Sequence, residues 1–473
     1  MKSLAGWRTS KEPARNTVTQ KERHPMTRSR PNLMRVLIAA TLCAVAVVSA
    51  SPARGTNSLS SPQVLPPIQG LVPNVLIIVT DDQRTKLLRT MPQTKAFFYD
   101  GGTRFPNGYV TTPLCCPSRG SIFTGRYAHN HGILHNNAVE NLDQTTTMQY
   151  HLQQNGYKTG IVGKFFRGWD VAVDPPYFDL WSIFRAGYYG RSFNTNGALH
   201  DVGRYSTTYI GNESERFLRE FEKDDLTPWY LYVATAAPHK PFTASSKYRG
   251  THIRDWKGNP GVRERNTGDK PPFIQEHHSG IVRGNRVRKK QIRTLKSVDD
   301  MVTQIKGVLD ELGETRDTLA IFTSDNGYLL GEHGFVGKRQ PYTDSIEVPL
   351  VVRLPGVLPR GGVDHRFAAN VDIAPTVLEA AKVPAEDMSS MDGYSLLGDH
   401  DRTYMFTEHW GNPHKDLSDW ASIRTRDYQY TEYYTRLPGE DSDTISFREY
   451  YDLKEDPYEL VNLYANHDQQ DDP

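Results

Sequence analysis

The sequence predicts an α/β fold: a large mixed β-sheet sandwiched between helices, followed by a smaller C-terminal α+β unit. Three observations predict it. Short, continuous apolar runs recur and end in acidic or polar residues, as in NVLIIV before Asp81-Asp82 and LAIFT before Ser324-Asp325-Asn326. Helical periodicity falls between such runs, so strands alternate with helices that cover both faces of the sheet. After about residue 384 the pattern changes to aromatic, charged segments such as REYYDLKEDPYELVNLY.

The 473 residues suffice for one large domain with an annex, or for two domains. The formal net charge of +1 supplies no global field that would call for nucleic acid or a membrane surface. A hydrophobic content of 37%, with 25 Tyr and 18 Phe, argues against disorder through most of the chain.

The N-terminus stands apart. Residues 1–35 are basic and polar, and VLIAATLCAVAVVSA (Val36–Ala50) is an uncharged apolar run too short for a comfortable membrane span. A basic flank, an apolar stretch and a Val-Ser-Ala ending predict a signal peptide over residues 1–50, cleaved near Ala50, and hence a secreted or periplasmic protein with no membrane attachment after cleavage. An uncleaved anchor is the alternative. Residues 51–73 are rich in Ser, Pro and Gly and read as a linker. The catalytic domain is placed at 74–383 and the C-terminal subdomain at 384–473.

Within the first of these, strands are expected at Val75–Val79, Gly160–Val162, Tyr230–Ala234, Leu319–Thr323 and Val348–Gly356. Thr146–Asn155 reads as a short helix stopped by Gly156. In Lys290–Leu312, Ile292, Leu295, Val302, Ile305, Leu309 and Leu312 recur at helical spacing before Gly313. Val371–Ala381 reads as a turn into a helix. Thr243–Arg288 is polar and Gly-rich and leads into the basic run VRGNRVRKK. It reads as a surface excursion, with a solvated face or contact with an anionic substrate as its two possible uses. Ligands of such sheets gather beyond the carboxyl ends of the strands. Asp81, Asp82, Lys164, His239, Asp325 and Asn326 are therefore the first candidates.

Taken singly, Asp81-Asp82 would be a turn or a cap, and Asp325-Asn326-Gly327 a turn. Together they offer hard oxygen donors at strand ends, suited to Ca²⁺ or Mg²⁺ and not to Zn²⁺. The chain holds three cysteines, and loss of Cys43 with the signal leaves only the adjacent Cys115 and Cys116. Adjacent cysteines pair only through a strained ring, so a structural disulfide is not expected.

Cys115-x-Pro117-x-Arg119, followed by Thr124-Gly125-Arg126, resembles the signature of the formylglycine-dependent sulfatases of the alkaline phosphatase superfamily. Only Cys115 has Pro two residues on and Arg four residues on. The resemblance continues in NVLIIVTDDQ, GYKTGIVGK, PHKPF, TSDNG, GKRQPYTDSIEVPLVVR, VDIAPT and YYDLKEDPYEL. The DDQ and HNHG contexts are similar to the N-acetylglucosamine-6-sulfatase branch, which points to a carbohydrate sulfate.

The resemblance implies that a formylglycine-generating enzyme converts Cys115 to 3-oxoalanine (Cα-formylglycine). One hydroxyl of the aldehyde hydrate would attack the sulfur of a sulfate monoester, a carbohydrate or aryl sulfate, and the other would lose its proton so that sulfate is expelled. It implies Ca²⁺, with Mg²⁺ as the alternative, bound by Asp81, Asp82, Asp325, Asn326 and the modified Cys115. Arg119 would support the hydrate, Lys164 and Lys338 would grip sulfate, and His239 would stand at the leaving group. Cys116 would have no chemical role. The sequence departs from the family where many members carry a histidine two residues after the first lysine: here that position is Phe166, and either Arg167 or another histidine, with His131 a candidate, supplies the contact to substrate, or the site dispenses with it. Substrate choice would lie in loops and the C-terminal unit, around Glu332, His333, His409 and Trp410. A phosphonate or phosphate ester hydrolase of the same superfamily and a non-catalytic sulfated-glycan-binding protein are the alternatives.

Overall fold

The structure is a computed structural model and describes residues 72–411, 419–435 and 444–465. The proposed signal peptide (residues 1–50) and all but the last two residues of the proposed linker lie outside the described residues.

One ten-stranded sheet organises the chain. Its strands are β1 (Asn74–Thr80), β2 (Thr103–Arg104), β3 (Lys158–Lys164), β4 (Leu180–Phe184), β5 (Arg191–Thr195), β6 (Ala198–Val202), β7 (Trp229–Ala234), β8 (Thr318–Ser324), β9 (Val351–Arg353) and β10 (Gly362–Val363). Their order is β10-β2-β9-β8-β1-β7-β3-β4-β5-β6. The central five, β8-β1-β7-β3-β4, are mutually parallel, with β1 aligned Val75 to Leu319 on one side and to Tyr230 on the other. Strands β9 and β5 pair antiparallel at the two margins, so the sheet is mixed.

Alternation along β1 splits the core. Val75, Ile77 and Val79 face one layer, packed with Ile122, Phe123, Met148, Leu152, Val377 and Leu378. Leu76 and Ile78 face the other, packed with Ile210, Phe217, Leu295, Val302 and Leu309. Each such side chain, fully buried, contributes about 1.5–3 kcal/mol relative to exposure. That explains why the predicted strands read as unbroken apolar runs rather than alternating ones: both faces are covered.

The helices are α1 (Pro92–Phe98), α2 (Cys115–Thr124), α3 (Met148–Gln154), α4 (Ser206–Phe221), α5 (Ile281–Leu312) and α6 (Ile373–Ala380), with several single turns besides. Helix α2 is buried on every residue, which makes it a core element and not a surface one. It ends at Gly125, whose left-handed φ of 66° closes the last turn. Helix α5 runs nine residues further back than the periodicity indicated. Its basic start belongs to the helix and not to the surface excursion, because Arg and Lys are strong helix formers and Gly284 lets the helix lie directly on the Leu330 carbonyl. A Cβ there would fall 1.5 Å from that oxygen.

The C-terminal segment forms a four-stranded antiparallel sheet, Met405–His409, Asp419–Arg424, Tyr428–Thr435 and Thr444–Asp452. Among its described residues the helical content is limited to 3₁₀ turns at Ala385–Met388 and Leu463–Ala465. Met405, Trp420 and Tyr433 pack on Tyr109, Val348 and Val371, which fixes this sheet against the main body.

Candidate active site

Because β1, β3, β7 and β8 are parallel, their carboxyl ends open on one edge and deliver Asp81-Asp82, Lys164, the His239 loop and Asp325-Asn326 to the same place. Ser324 stitches two of these ends: its Oγ accepts from Gln83 N at 2.9 Å and donates to the Thr80 carbonyl at 3.2 Å. Asp82 has a left-handed backbone (φ 74°), a conformation Asp tolerates better than most residues, and it brings the carboxylate alongside Asn326. Asn326 Nδ2 donates to Asp82 Oδ1 at 2.7 Å, and Asp82 N donates to Asp325 Oδ1 at 3.2 Å.

The motif helix enters from the side. Cys115 is its first residue, and Cys115 Sγ lies 3.5 Å from Asp81 Oδ1. No side chain caps the helix from the preceding residue; instead Asn136 Oδ1 accepts from Cys116 N at 3.0 Å. Both cysteines are free thiols and buried. Cys116 points away from the cluster and accepts from Arg167 N at 3.2 Å, tying the loop after β3 to the motif helix.

Three carboxylates meet three cations. Lys164 Nζ lies 2.5 Å from Asp81 Oδ2, Arg119 Nε 2.9 Å from Asp325 Oδ2, and Lys338 Nζ is in contact with Asp82 Oδ1. Lys338 also reaches Cys115 Sγ at 2.8 Å and Asn326 Oδ1 at 3.1 Å. Arg119 is held a second time by the Lys164 carbonyl at 2.7 Å, while its Nη2 has no acceptor despite full burial. His239 sits at the mouth, its side chain one quarter exposed and its Nε2 3.9 Å from Asp82 Oδ2.

Charge pairing sets the protonation states. Burial works against ionised Asp81, but Lys164 and His239 overcome it and take the carboxyl down to about 2. Burial likewise opposes ionised Asp82, and Lys338 with His239 hold it below its usual range. Burial pushes the Cys115 thiol up to about 12, against the pull of Lys164 and Lys338. An unmodified Cys115 would therefore be a protonated, poor nucleophile at neutral pH.

The donor set fits a hard divalent ion. Ligand atoms of Asp81, Asp82, Cys115 and His239 lie within 4.8 Å of one another, with Asp325 and Asn326 bonded to the same group. Carboxylate and amide oxygens suit Ca²⁺ or Mg²⁺. The orphan Nη2 of Arg119, one helical turn after Cys115, leaves a buried donor free for an oxygen acceptor.

Of the catalytic, metal and substrate-contact candidates, His131 is the one that the fold does not bring to the cluster. It lies beneath α2, where Ile133 N donates to its Nδ1 at 3.1 Å. That leaves Nε2 to carry the proton and donate to the Pro117 carbonyl at 3.1 Å. Gly120 makes room for the ring: a Cβ there would fall 2.7 Å from His131 Cε1. The ring braces the motif helix and is too deep to touch substrate. Phe166 is buried in an aromatic cluster with Phe123 and Phe165 and offers nothing to the site.

Glu332 and His333 are consumed internally. Glu332 pairs with Arg84 at 3.0 Å, and His333 Nδ1 with Glu264 at 2.7 Å. His409 is different: it is buried, and neither ring nitrogen has a hydrogen-bond partner among the described residues. Burial and the nearby Arg339 hold its imidazole down to about 3. Arg339 in turn feels Cys115 and Asp82. Arg339 and Arg84 were missed in the sequence. GKR and DDQR do carry them, but an arginine after a lysine or glutamine gives no sign of facing inward.

Comparison with known proteins accounts for this arrangement. The sulfatase family pattern matches residues 73–383, and the C-terminal pattern of N-sulphoglucosamine sulphohydrolase matches residues 331–472. Human N-acetylglucosamine-6-sulfatase is 32% identical over 360 residues, covering 69% of this chain and 64% of that protein. The Drosophila melanogaster extracellular sulfatase SULF-1 homolog is 34% identical, covering 69% of this chain but 31% of its own length. The chain thus spans less than two thirds of these two relatives. N-acetylglucosamine-6-O-sulfatase of Bacteroides thetaiotaomicron is 26% identical and 83% covered in both directions. A solved structure in complex with its substrate D-glucosamine-2-N,6-O-disulfate superposes with a TM-score of 0.70 at 23% identity, covering 84% of this chain and 94% of that one. With two thirds of its length matched and the motif cysteine, acids and cations gathered on one sheet edge, this chain belongs to the sulfatase family.

Proposed function

We propose that the protein hydrolyses sulfate monoesters of carbohydrates. The observation that carries this reading is the matched set of three carboxylates and three cations closing on Cys115. Relatives at 32% and 26% identity are named for N-acetylglucosamine 6-sulfate, which favours an amino-sugar sulfate as substrate.

Asp81, Asp82, Asp325 and Asn326 would hold Ca²⁺, or Mg²⁺ in its place, and Cys115 would be converted to formylglycine before folding by a formylglycine-generating enzyme. Bound there, the cation neutralises charge and the aldehyde hydrate supplies a nucleophilic hydroxyl. The chain's own residues do the rest. Lys164 and Lys338 would grip the sulfate with ammonium groups held in a buried setting, which strengthens their attraction for an anion. Arg119, fixed by Asp325 and the Lys164 carbonyl, offers its free Nη2 hydrogens to an oxygen at position 115. His239, one quarter exposed at the mouth, would donate a proton to the departing alcohol. Domain limits of 74–383 and 384–473 and a cleaved signal over residues 1–50 complete the reading, and the extracellular relative supports export.

The test is made on protein expressed in a host with the converting enzyme. Peptide mass spectrometry should show an aldehyde at Cys115 and a thiol at Cys116. Turnover of N-acetylglucosamine 6-sulfate should exceed that of matched phosphate and phosphonate esters. Faster phosphonate turnover would move the protein to the phosphonate hydrolase reading. A retained Cys115 thiol with glycan binding and no turnover would make it a binding protein.

A further inference from the structure

The first half of α5 carries a charge pattern that catalysis does not use. Residues 281–296 contain seven cations, Arg283, Arg286, Arg288, Lys289, Lys290, Arg293 and Lys296, and no acid. The second half reverses sign, with Asp299, Asp300, Asp310 and Glu311 against Lys306. Arg283, in the first turn, opposes the helix macrodipole at about 0.3–1 kcal/mol. Arg and Lys favour helix, but propensity does not call for seven cations without one acid.

Part of the group is engaged within the fold. Lys289 pairs with Asp255 at 2.6 Å, and Arg288 and Arg293 donate to the carbonyls of Arg254 and Thr251. Arg283, Arg286 and Lys290 have no acidic partner among the described residues, and all three are exposed. Their spacing of three and four residues puts them on one face, in a stripe about 10 Å long. At its start lies an open cleft of about 640 Å³ lined by His277, His278, Arg283 and Arg286, with Glu276 its one acid.

The helix that carries the stripe starts beside the catalytic edge, where its Gln291 donates to the Asp82 carbonyl at 3.3 Å. Ser279 N donates to the Gly334 carbonyl at 2.7 Å, and Gly284 lies against Leu330, so the helix start is built onto the segment that ends in Lys338. Arg283 is also near enough to Tyr328 to bear on its phenol, as Asp82 and Lys338 do.

We infer that this stripe and cleft form an exosite for a sulfated polysaccharide, holding sulfate groups of the chain beyond the residue being cleaved. The inference rests on the carbohydrate-sulfatase reading for its partner. Unpaired guanidinium and ammonium groups in a row match a flexible polyanion whose charges repeat along its length, one of which the catalytic site would take. The near-neutral chain as a whole gives no general attraction for polyanions, so binding would be local to this face.

The experiment uses the full chain with Cys115→Ser, which keeps binding separate from turnover. Heparin is the probe, with double-stranded DNA and a desulfated heparin as comparisons. The parent should bind heparin and not the desulfated chain. The variant Arg283→Ala/Arg286→Ala/Lys290→Ala should bind heparin at least tenfold more weakly with an unchanged unfolding midpoint. Arg283→Lys/Arg286→Lys should retain most of the affinity. In turnover-competent protein, the alanine variant should lose its preference for a sulfated oligosaccharide over a sulfated monosaccharide, read as the ratio of kcat/KM values. Heparin affinity indifferent to the alanine variant, or DNA bound as tightly as heparin, overturns the exosite. Stripe-dependent heparin binding by a protein that cleaves no sulfate ester would uphold the exosite while removing the catalytic reading.

Discussion

Lys338 Nζ stands 2.8 Å from Cys115 Sγ while its other contacts hold Asp82 and Asn326. One ammonium thus faces both the proposed nucleophile position and the proposed cation ligands. Lys338→Ala should lower kcat/KM for a small sulfate ester by roughly 100–1,000-fold, the usual consequence of removing one preorganised charge donor from a buried site. Lys338→Arg should recover only part of that, because a planar fork cannot replace a point charge at three converging atoms. Loss of less than threefold in steady-state assays would remove Lys338 from the chemistry.

Arg119 and Asp325 form an ion pair with both side chains fully buried. Removing one partner strands a charge away from water, at about 3–5 kcal/mol. Arg119→Ala should therefore lower unfolding free energy by that amount in a denaturant titration, far more than an exposed pair such as Lys95–Asp100 would show when broken. An unchanged denaturation midpoint would mean that Asp325 finds another counter-charge.

Asp81, Asp82 and Asp325 are offset by lysine and arginine, yet they remain three carboxylates within one small group. A divalent ion that binds only the folded protein raises stability by RT ln(1 + [L]/Kd), about 2.7 kcal/mol at a hundredfold excess over Kd. Added Ca²⁺ should raise the unfolding temperature in proportion to the logarithm of its concentration, and a chelator should reverse the gain. Asp325→Asn should abolish the response. A calcium-independent unfolding temperature in the parent protein would argue against the ion site.

Much of this was legible in the chain. The strands before Asp81, Lys164 and Asp325 announce themselves as apolar runs closed by polar residues, because a doubly covered parallel strand admits no polar alternation. What could not be read was three-dimensional closure. The Cys115 motif says nothing of the buried shell around α2, and nothing in YAHNHG distinguishes a ring under a helix from one facing solvent. The basic start of α5 looked like a loop because its polar residues hide the apolar period. The contact that makes it helical, Gly284 on Leu330, joins residues 46 apart. Cys116 reads as chemically idle, yet it ties the loop after β3 to the motif helix through Arg167.

His131 gives the last prediction, and it concerns stability. Burial holds its imidazole neutral, lowering its pKa from 6.5 to about 4. Between those values the unfolded chain binds a proton that the folded chain refuses, so stability falls as pH drops through this window and levels off below it. The full cost is about 3 kcal/mol, from roughly 2.5 pH units at 1.36 kcal/mol each. His131→Gln removes the titrating group while leaving an amide to meet the Pro117 carbonyl. It should be less stable than the parent at pH 7, yet its unfolding free energy between pH 6 and 4.5 should fall less steeply, by roughly 1 kcal/mol per pH unit. His409, also buried neutral, titrates in both proteins and cancels in the difference. Parallel pH curves for parent and variant would show that His131 is charged or water-exposed in solution, and the brace beneath α2 would have to be abandoned.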